Sequence, residues 1–381
     1  MTVTKKNKKI NKIRKNKTIR KNKTKEKNKI RKNKTRKTNN IHISSNFESG
    51  NIKHISTYKQ NKKYQIVLEI KNEPYPKSTK NKYQNWFYFK VTNIKNKKLV
   101  FKIQNIRNYD NDWKGFNVAI SYDNKNWIRH KTKLIKNSLI WHINPKKSTI
   151  WFAYYPPYPF SKSKKLLTNM KTIGHTKDKR PILMKPLGTG KFKVWIISGQ
   201  HPGETINSWI LNGFVKRILE RKKQLFSKYT FYIIPNANPD GNVRGHWYVT
   251  SSGINLNRDW KKNNSAEVTA IKKCIDKIGY HLVFDIHGDE GSKNHFLVSS
   301  LNNKHPLHDK INREINKRNK HFQLKNYYSP KYMKGAKDTL DDYTLGITIE
   351  GAMKHPLYNH KTLQDEPIQI GKSLADILED M

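Results

Sequence analysis

Hydrophobic and polar positions fall into three regimes along the chain. Over residues 1–42, in runs such as KKNKKINKIRKNK, isolated isoleucines sit among Lys, Arg and Asn with neither a helical nor a strand period. A block of like charges with no apolar face repels itself and stays extended. From Phe47 to about Phe160, apolar and polar side chains alternate over short segments: 64–70, 86–91, 99–103, 116–120, 139–143 and 149–154. A period of two predicts strands with one covered face. Polar clusters at 108–112 and 122–126 separate them as turns, and no helical run intervenes. That pattern reads as an antiparallel β-sandwich, closed by Pro156-Pro157-Tyr158-Pro159.

Beyond residue 161 the period changes again. Strands are predicted at 193–198, 230–235, 281–287, 296–300 and 344–350, alternating with helices at 205–220, 266–278, 306–318 and 363–378. Asn264-Ser265 followed by Glu267 and Val268 supplies a capped start for the second helix. Such alternation predicts a three-layer α/β domain with a mixed, largely parallel sheet. The expected organisation is therefore a tail (1–42), a sandwich domain (43–160) and an α/β domain (161–381). In sheets of this kind ligands sit beyond the carboxyl ends of the strands, so chemistry is sought there.

Composition sharpens this picture. Of 381 residues, 78 are Lys or Arg and 28 are Asp or Glu, a formal net charge of +50. The first forty residues alone carry 19 basic side chains against Glu26. Nine Trp, 19 Tyr and 14 Phe provide enough apolar area to exclude global disorder. One cysteine, Cys274, excludes an intramolecular disulfide and a cysteine-rich zinc site, and core packing on a helix is its expected role. No run approaches ~18 apolar residues and no signal-peptide-like apolar stretch follows the basic start. A soluble, cytoplasmic, non-secreted protein is expected, with the nucleus or a virion as alternative settings. The tail suits nonspecific contact with nucleic acid or another anionic surface, but lacks interleaved aromatics on which bases would stack.

Five segments carry candidate chemistry. Gly199-Gln200-His201-Pro202-Gly203-Glu204-Thr205 follows a strand and precedes a helix, and His201 and Glu204 are close enough to share one metal. A second strand ends in Asp285-Ile286-His287-Gly288-Asp289-Glu290, which offers a second imidazole, and so a third ligand, at the corresponding edge of the sheet. Two His and one Glu, with a position left for water, form a catalytic zinc set; the alternative is a pair of ordinary hydrogen-bonded histidines. Asp285 and Asp289 are candidates to orient His287. Between these segments lie Asn238-Pro239-Asp240-Gly241-Asn242-Val243-Arg244-Gly245-His246 and Asn255-Leu256-Asn257-Arg258-Asp259-Trp260. Their arginines match an anionic substrate group, since a guanidinium fork fits a carboxylate. His246 reads as a packed histidine. Thr348-Ile349-Glu350-Gly351 ends an apolar strand with a carboxylate, the base that hydrolysis at a metal requires.

At these residues the chain resembles the funnelin-type (M14) zinc metallocarboxypeptidases, most of all their cytosolic branch with its small microbial or viral members. HPGET, NPDG, NLNRDW, DIHGDE and the strand-end Glu occur in the family's order. FESGNI (47–52), QNWFYFKV (84–91) and WFAYYPPY (151–158) resemble the β-sandwich domain that precedes the catalytic domain in that branch. The likeness covers about residues 46–360. It implies a carboxypeptidase-like catalytic fold and one Zn2+ per chain, ligated by His201, Glu204 and His287. It further implies that Glu350 is the general base and that Arg244 polarises the scissile carbonyl. Asn257 and Arg258 would hold the substrate's terminal carboxylate. Tyr328 has the spacing of the family's mobile tyrosine, with Tyr327, Tyr332 and Tyr343 as competitors. Lys337 stands where deglutamylating members place a basic residue, more usually Arg. After HGDE the family often has a tract ending Tyr-Asn-Phe; this chain has Asn294-His295-Phe296.

The implied reaction removes one C-terminal amino acid from peptides or proteins, with acidic or polyglutamylated tails as the substrate class. Two other readings compete. One is a zinc amidohydrolase on N-acyl amino acids, which the intact NLNR motif and the sandwich domain disfavour. The other is a silent, polyanion-binding protein on a peptidase scaffold, which retention of all three ligands and the base disfavours.

Overall fold

The alternating segments of the front half pair into two five-stranded sheets. In the computed structural model, residues 40–77, 79, 82–107, 112–298, 306–324, 345–356 and 360–381 are described. Residues 1–39, Tyr328 and Lys337, with Tyr327, Tyr332 and Tyr343, lie outside them. The strands are β1 (His42–Ser44), β2 (Lys53–Gln60), β3 (Lys63–Glu69), β4 (Tyr88–Thr92), β5 (Leu99–Ile103), β6 (Val118–Ser121), β7 (Ile128–His130), β8 (Lys133–Ile135), β9 (Ser138–Ile143) and β10 (Thr149–Ala153). One sheet is ordered β1-β4-β10-β6-β7, the other β2-β3-β5-β9-β8. The pairings β4–β10, β6–β10, β6–β7, β2–β3, β5–β9 and β8–β9 are antiparallel, whereas β3 and β5 run parallel.

Alternation builds the core between the sheets. Phe89 of β4 stacks on Phe152 of β10 at 5.2 Å, and Phe101 of β5 stacks on Trp141 of β9 at 5.1 Å. Phe101 and Phe152, 4.7 Å apart, join the two pairs across the sandwich. All four rings are fully buried, and such ring pairs add about 0.5–1.5 kcal/mol beyond the area they bury. Strand β2 is exposed nearly throughout. It has no apolar face, so nothing in its pattern announces it.

The back half forms one seven-stranded sheet, ordered β11-β12-β14-β13-β15-β17-β16. Its strands are β11 (Lys171–His175), β12 (Pro181–Leu187), β13 (Phe192–Ser198), β14 (Tyr229–Ile234), β15 (Leu282–Asp289), β16 (Phe296–Val298) and β17 (Leu345–Ala352). The central pairs β13–β14, β13–β15 and β15–β17 are parallel, and the outer pairs β11–β12, β12–β14 and β16–β17 are antiparallel. The mixed, centrally parallel sheet matches the expectation from sequence. The two strands that the pattern did not reveal, β11 and β12, are on one side: β11 is largely exposed, and β12 contains Pro181 and Pro186, which weaken any strand reading.

The longer helices are α1 (Ile206–Glu220), α2 (Pro239–Arg244), α3 (Ala266–Ile278), α4 (Pro306–Arg318) and α5 (Asp365–Glu379). Ser265 caps α3, its Oγ accepting from Val268 N at 3.2 Å. On one face of the sheet Val268, Ile271 and Ile275 of α3 pack with Trp195, Ile197 and Val283. On the other, Phe214 of α1 meets Phe231 and Phe284 edge-on at 5.7 and 6.3 Å. Helix α5 lies against α1 so closely that a Cβ on Gly213 would fall 1.9 Å from Ile368 O, and one on Gly371 would fall 1.9 Å from Ile210 O. Among the described residues no helix is long and apolar enough to cross a membrane.

The sandwich grips the segment after β14. Ser49 N donates to Val243 O at 3.0 Å and Asn51 Nδ2 to Gly245 O at 2.8 Å. Gly245 adopts φ +69°, and a Cβ there would strike Ser49 O at 2.8 Å, so glycine is required twice over. The carboxyl of Glu73 accepts from the backbone N–H groups of Trp247, Tyr248 and Val249 at 2.5, 3.2 and 3.4 Å. Arg129 of β7 donates to Tyr154 O at 3.1 Å and to Met353 O just past β17.

Burial pushes the Glu73 carboxyl up to about 8, against the downward pull of those three donors. The folded chain therefore holds this proton more tightly than the unfolded chain between about pH 4.5 and 8, and the group's contribution to stability falls as pH rises through that window. Urea denaturation of the wild type and of Glu73→Gln at both ends of the window should show the stability difference moving toward the variant by roughly 1–2 kcal/mol as pH rises. A difference that stays constant would mean that Glu73 is ionised throughout.

Candidate metal centre

The end of β13 and the end of β15 are neighbours because Ser198 is in parallel register with Ile286. Past Ser198 the chain turns at Gly199, φ +77°, and delivers His201 and Glu204 just before α1. His287 comes up alongside on β15. The structure brings these three side chains together: His201 Nδ1 lies 2.8 Å from Glu204 Oε1, and His287 Nδ1 lies 3.1 Å from Glu204 Oε2. All three are buried, and one donor atom from each falls within 4.8 Å of the others. Gly288 N donates to Glu204 Oε2 at 2.9 Å, fixing the carboxylate from the backbone.

The far nitrogens of both imidazoles are also engaged. His201 Nε2 faces Asn255 Oδ1 at 3.0 Å, and His287 Nε2 faces Asp285 Oδ2 at 3.1 Å. Gln200 Nε2 donates to both Asp285 oxygens at 2.8 Å, while its Oε1 accepts from Trp260 Nε1 at 2.7 Å. An acceptor at each Nε2 favours a proton there and leaves Nδ1 as the lone-pair side, turned toward Glu204. Outer partners of this kind orient imidazoles for a metal.

Charge points the same way. Burial alone would raise the Glu204 carboxyl, but the His201 and His287 rings hold it well below its ordinary value. Burial works against a charged His287, yet the Asp285 and Glu204 carboxylates lift it well above 6.5. Around them burial, reinforced by one another's charge, raises Asp289, Glu290 and Glu350. So many carboxyls around two imidazoles form a centre with surplus negative potential, which a divalent cation would neutralise. Two imidazole nitrogens and one carboxylate oxygen are a donor set that suits zinc. Glu350 sits on β17 in parallel register with His287, one strand away from the triad.

The remaining candidates are less convergent. Arg244, the last residue of α2, turns to Asp178: Nε bonds Oδ2 at 2.8 Å with the side chain 51% exposed, in a chain of ion pairs that continues through Arg180 to Asp240. Nothing in that arrangement brings its guanidinium to the triad. Asn257 and Arg258 lie on a 3₁₀ turn (Leu256–Arg258), where Arg258 is exposed and its guanidinium donates to Asn257 O at 3.0 Å. His246 is buried with Nδ1 against Val249 O at 3.0 Å, a packed histidine. Asp289 accepts from Gly291 N and Ser292 N as a turn acid, whereas Asp285 orients His287. Cys274 packs against the core under α3. Tyr328 and Lys337 fall outside the described residues.

Sequence reading passed over three groups at the centre. Gln200 and Asn255 sit within the quoted motifs, but their roles depend on which atoms they face. Tyr248 carries no motif signal, yet its ring stacks on His201 at 4.1 Å and 21°, and Tyr83 of the sandwich domain stacks on its other side at 4.9 Å and 17°. Burial, then the charges of Glu290, Glu204 and Glu350, push its phenol well above 10.

Comparison with known proteins agrees with this geometry. Residues 43–155 match the family model of the cytosolic carboxypeptidase N-terminal domain, and residues 160–290 match that of zinc carboxypeptidase. An uncharacterised protein of Zymomonas mobilis is 31% identical over 239 residues, 58% of this chain and 63% of its own length. Human cytosolic carboxypeptidase-like protein 5 is 36% identical over 124 residues, 32% of this chain and 14% of its own. The matched regions thus span less than two thirds of these relatives. The crystal structure of a metallo-carboxypeptidase from Burkholderia cenocepacia superimposes with a TM-score of 0.79 at 26% identity, covering 88% of this chain and 97% of that one. Since both family models are matched in order and a solved metallo-carboxypeptidase overlays nearly end to end, the chain belongs to the M14 zinc carboxypeptidase family, in its cytosolic carboxypeptidase branch.

Proposed function

We propose that the protein is a zinc-dependent carboxypeptidase that hydrolyses the C-terminal peptide bond of peptides or proteins. The observation that carries this reading is the convergence of His201, Glu204 and His287 with Glu350 on the adjoining strand. The ion held by the three ligands would supply Lewis acidity toward water and a carbonyl oxygen. The protein's own groups do the rest. Glu350, in register with His287 on the adjoining strand, takes the proton of the attacking water and returns it to the departing amine. Arg258 has no acidic partner among the described residues, so its fork is open to the terminal carboxylate of a substrate, beside Asn257. An internal peptide bond brings no carboxylate, and that is the basis for acting on chain ends.

Acidic tails, including polyglutamylated ones, are the proposed substrate class. Support comes from a chain of net charge +50, which concentrates anionic partners near its surface. Residues 1–42 are proposed to add nonspecific contact with nucleic acid or another anionic surface. The cytoplasm is the proposed location, in line with the relatives named cytosolic carboxypeptidases.

Three outcomes test these assignments. Glu350→Gln should bind zinc at wild-type stoichiometry and lose turnover by about 10²–10⁴-fold; near-normal amino-acid release would remove Glu350 from the mechanism. Asn255→Ala should weaken zinc binding by about 10–100-fold in competition with a chromophoric chelator, because His201 loses the acceptor at Nε2. Matched peptides ending in Glu, Lys or Phe should release Glu fastest, and fastest release of Lys or Phe would sink the acidic preference while leaving the exopeptidase reading in place.

A further inference from the structure

We propose that Tyr248, and not Arg244, is the side chain that meets the carbonyl oxygen of the scissile bond, and that the sandwich domain fixes it there through Glu73 and Tyr83. This inference rests on the carboxypeptidase reading and assigns one role within it.

Two side chains compete for that role. Arg244 is committed elsewhere: it is half exposed, its charge is matched by Asp178, and it ends α2 just before the left-handed turn at Gly245. Tyr248 lies on the metal centre itself, its ring parallel to that of His201 at 4.1 Å. Tyr83 stacks on the same ring at 4.9 Å and 17°, so the phenol is held against His201. Other polar groups that ring the triad already have partners. His201 Nε2 has Asn255, His287 Nε2 has Asp285, and Gln200 has both Asp285 and Trp260. The Tyr248 hydroxyl has no hydrogen-bond partner among the described residues, so it is a donor free to take one.

Its position is set in advance. Glu73 receives the backbone N–H groups of Trp247, Tyr248 and Val249, Tyr83 covers the outer face of the ring, and Tyr75 in turn donates to Tyr83 O at 2.9 Å. A donor held rigid at the edge of a water-poor site costs little reorganisation when charge develops on the carbonyl oxygen. The phenol donates a hydrogen bond and keeps its proton. The bond strengthens as that oxygen becomes anionic, so the benefit falls on the transition state rather than on substrate binding.

Tyr248→Phe is the informative variant, because it keeps the ring on His201 and removes only the hydroxyl. With zinc-loaded protein, kcat for C-terminal amino-acid release should fall about 10²-fold while KM and zinc affinity stay within about twofold. Binding of a peptide phosphonate, which presents a tetrahedral anion, should weaken by a comparable factor, and binding of the cleaved peptide product should not. Arg244→Ala should lose less kcat than Tyr248→Phe. Wild-type kcat in Tyr248→Phe, or the larger loss in Arg244→Ala, would overturn the assignment and leave the exopeptidase reading intact. A zinc-loaded wild type that releases no amino acid from any peptide would overturn both.

Discussion

One carboxylate holds the centre of this protein together. Glu204 faces His201 with one oxygen and His287 with the other, and so ties the end of β13 to the end of β15. Both imidazoles are buried, and a buried ion of either sign is costly unless it is paired and hydrogen-bonded. The backbone N–H of Gly288 and the outer partners Asn255 and Asp285 complete that pairing. The parallel register of β13 with β15, and of β15 with β17, follows from ordinary strand pairing. That same register sets the turn that carries Glu204 beside His287 and Glu350 at the carboxyl ends of consecutive strands, so the sheet's hydrogen bonding and the chemistry are one constraint.

The sandwich domain is part of that constraint. Its residues Ser49, Asn51 and Glu73 hold the backbone between α2 and Val249, and Tyr83 closes over Tyr248. Arg129 reaches Met353, just beyond the strand that carries Glu350. The segment lacks a regular ladder of its own, so its N–H groups are satisfied from the other domain, as buried backbone demands. The front domain therefore packs against the ring that lies on His201.

Charge is distributed against the grain of the whole chain. Lys and Arg outnumber Asp and Glu 78 to 28, yet five acids gather at Glu204, Asp285, Asp289, Glu290 and Glu350. Net positive charge attracts anions at long range, whereas a local acidic cluster favours a cation. Each preference acts at its own range: the surface field over nanometre distances in low salt, the buried cluster at contact.

Much of this was legible in the amino-acid sequence. A period of two in the front half, strands alternating with helices in the back half, and HPGE and DIHGDE at strand ends were enough to name the layers and the group His201, Glu204 and His287 that the fold brings together. Those signals are local, since an apolar period or a ligand spacing needs no knowledge of distant residues. Strands β1, β7 and β8 escaped because they are three residues long, β2 and β11 because they are largely exposed, and β12 because prolines interrupt it. Arg244 illustrates the other limit: it stands beside the NPDG motif, but its partner is Asp178, far upstream, and only folding sets the two side by side. Gln200, Asn255 and Tyr248 owe their roles to which atom faces which ring across separate segments. Sequence determined the elements and the donor set; tertiary structure decided direction, because where a side chain points depends on neighbours that the linear order does not list.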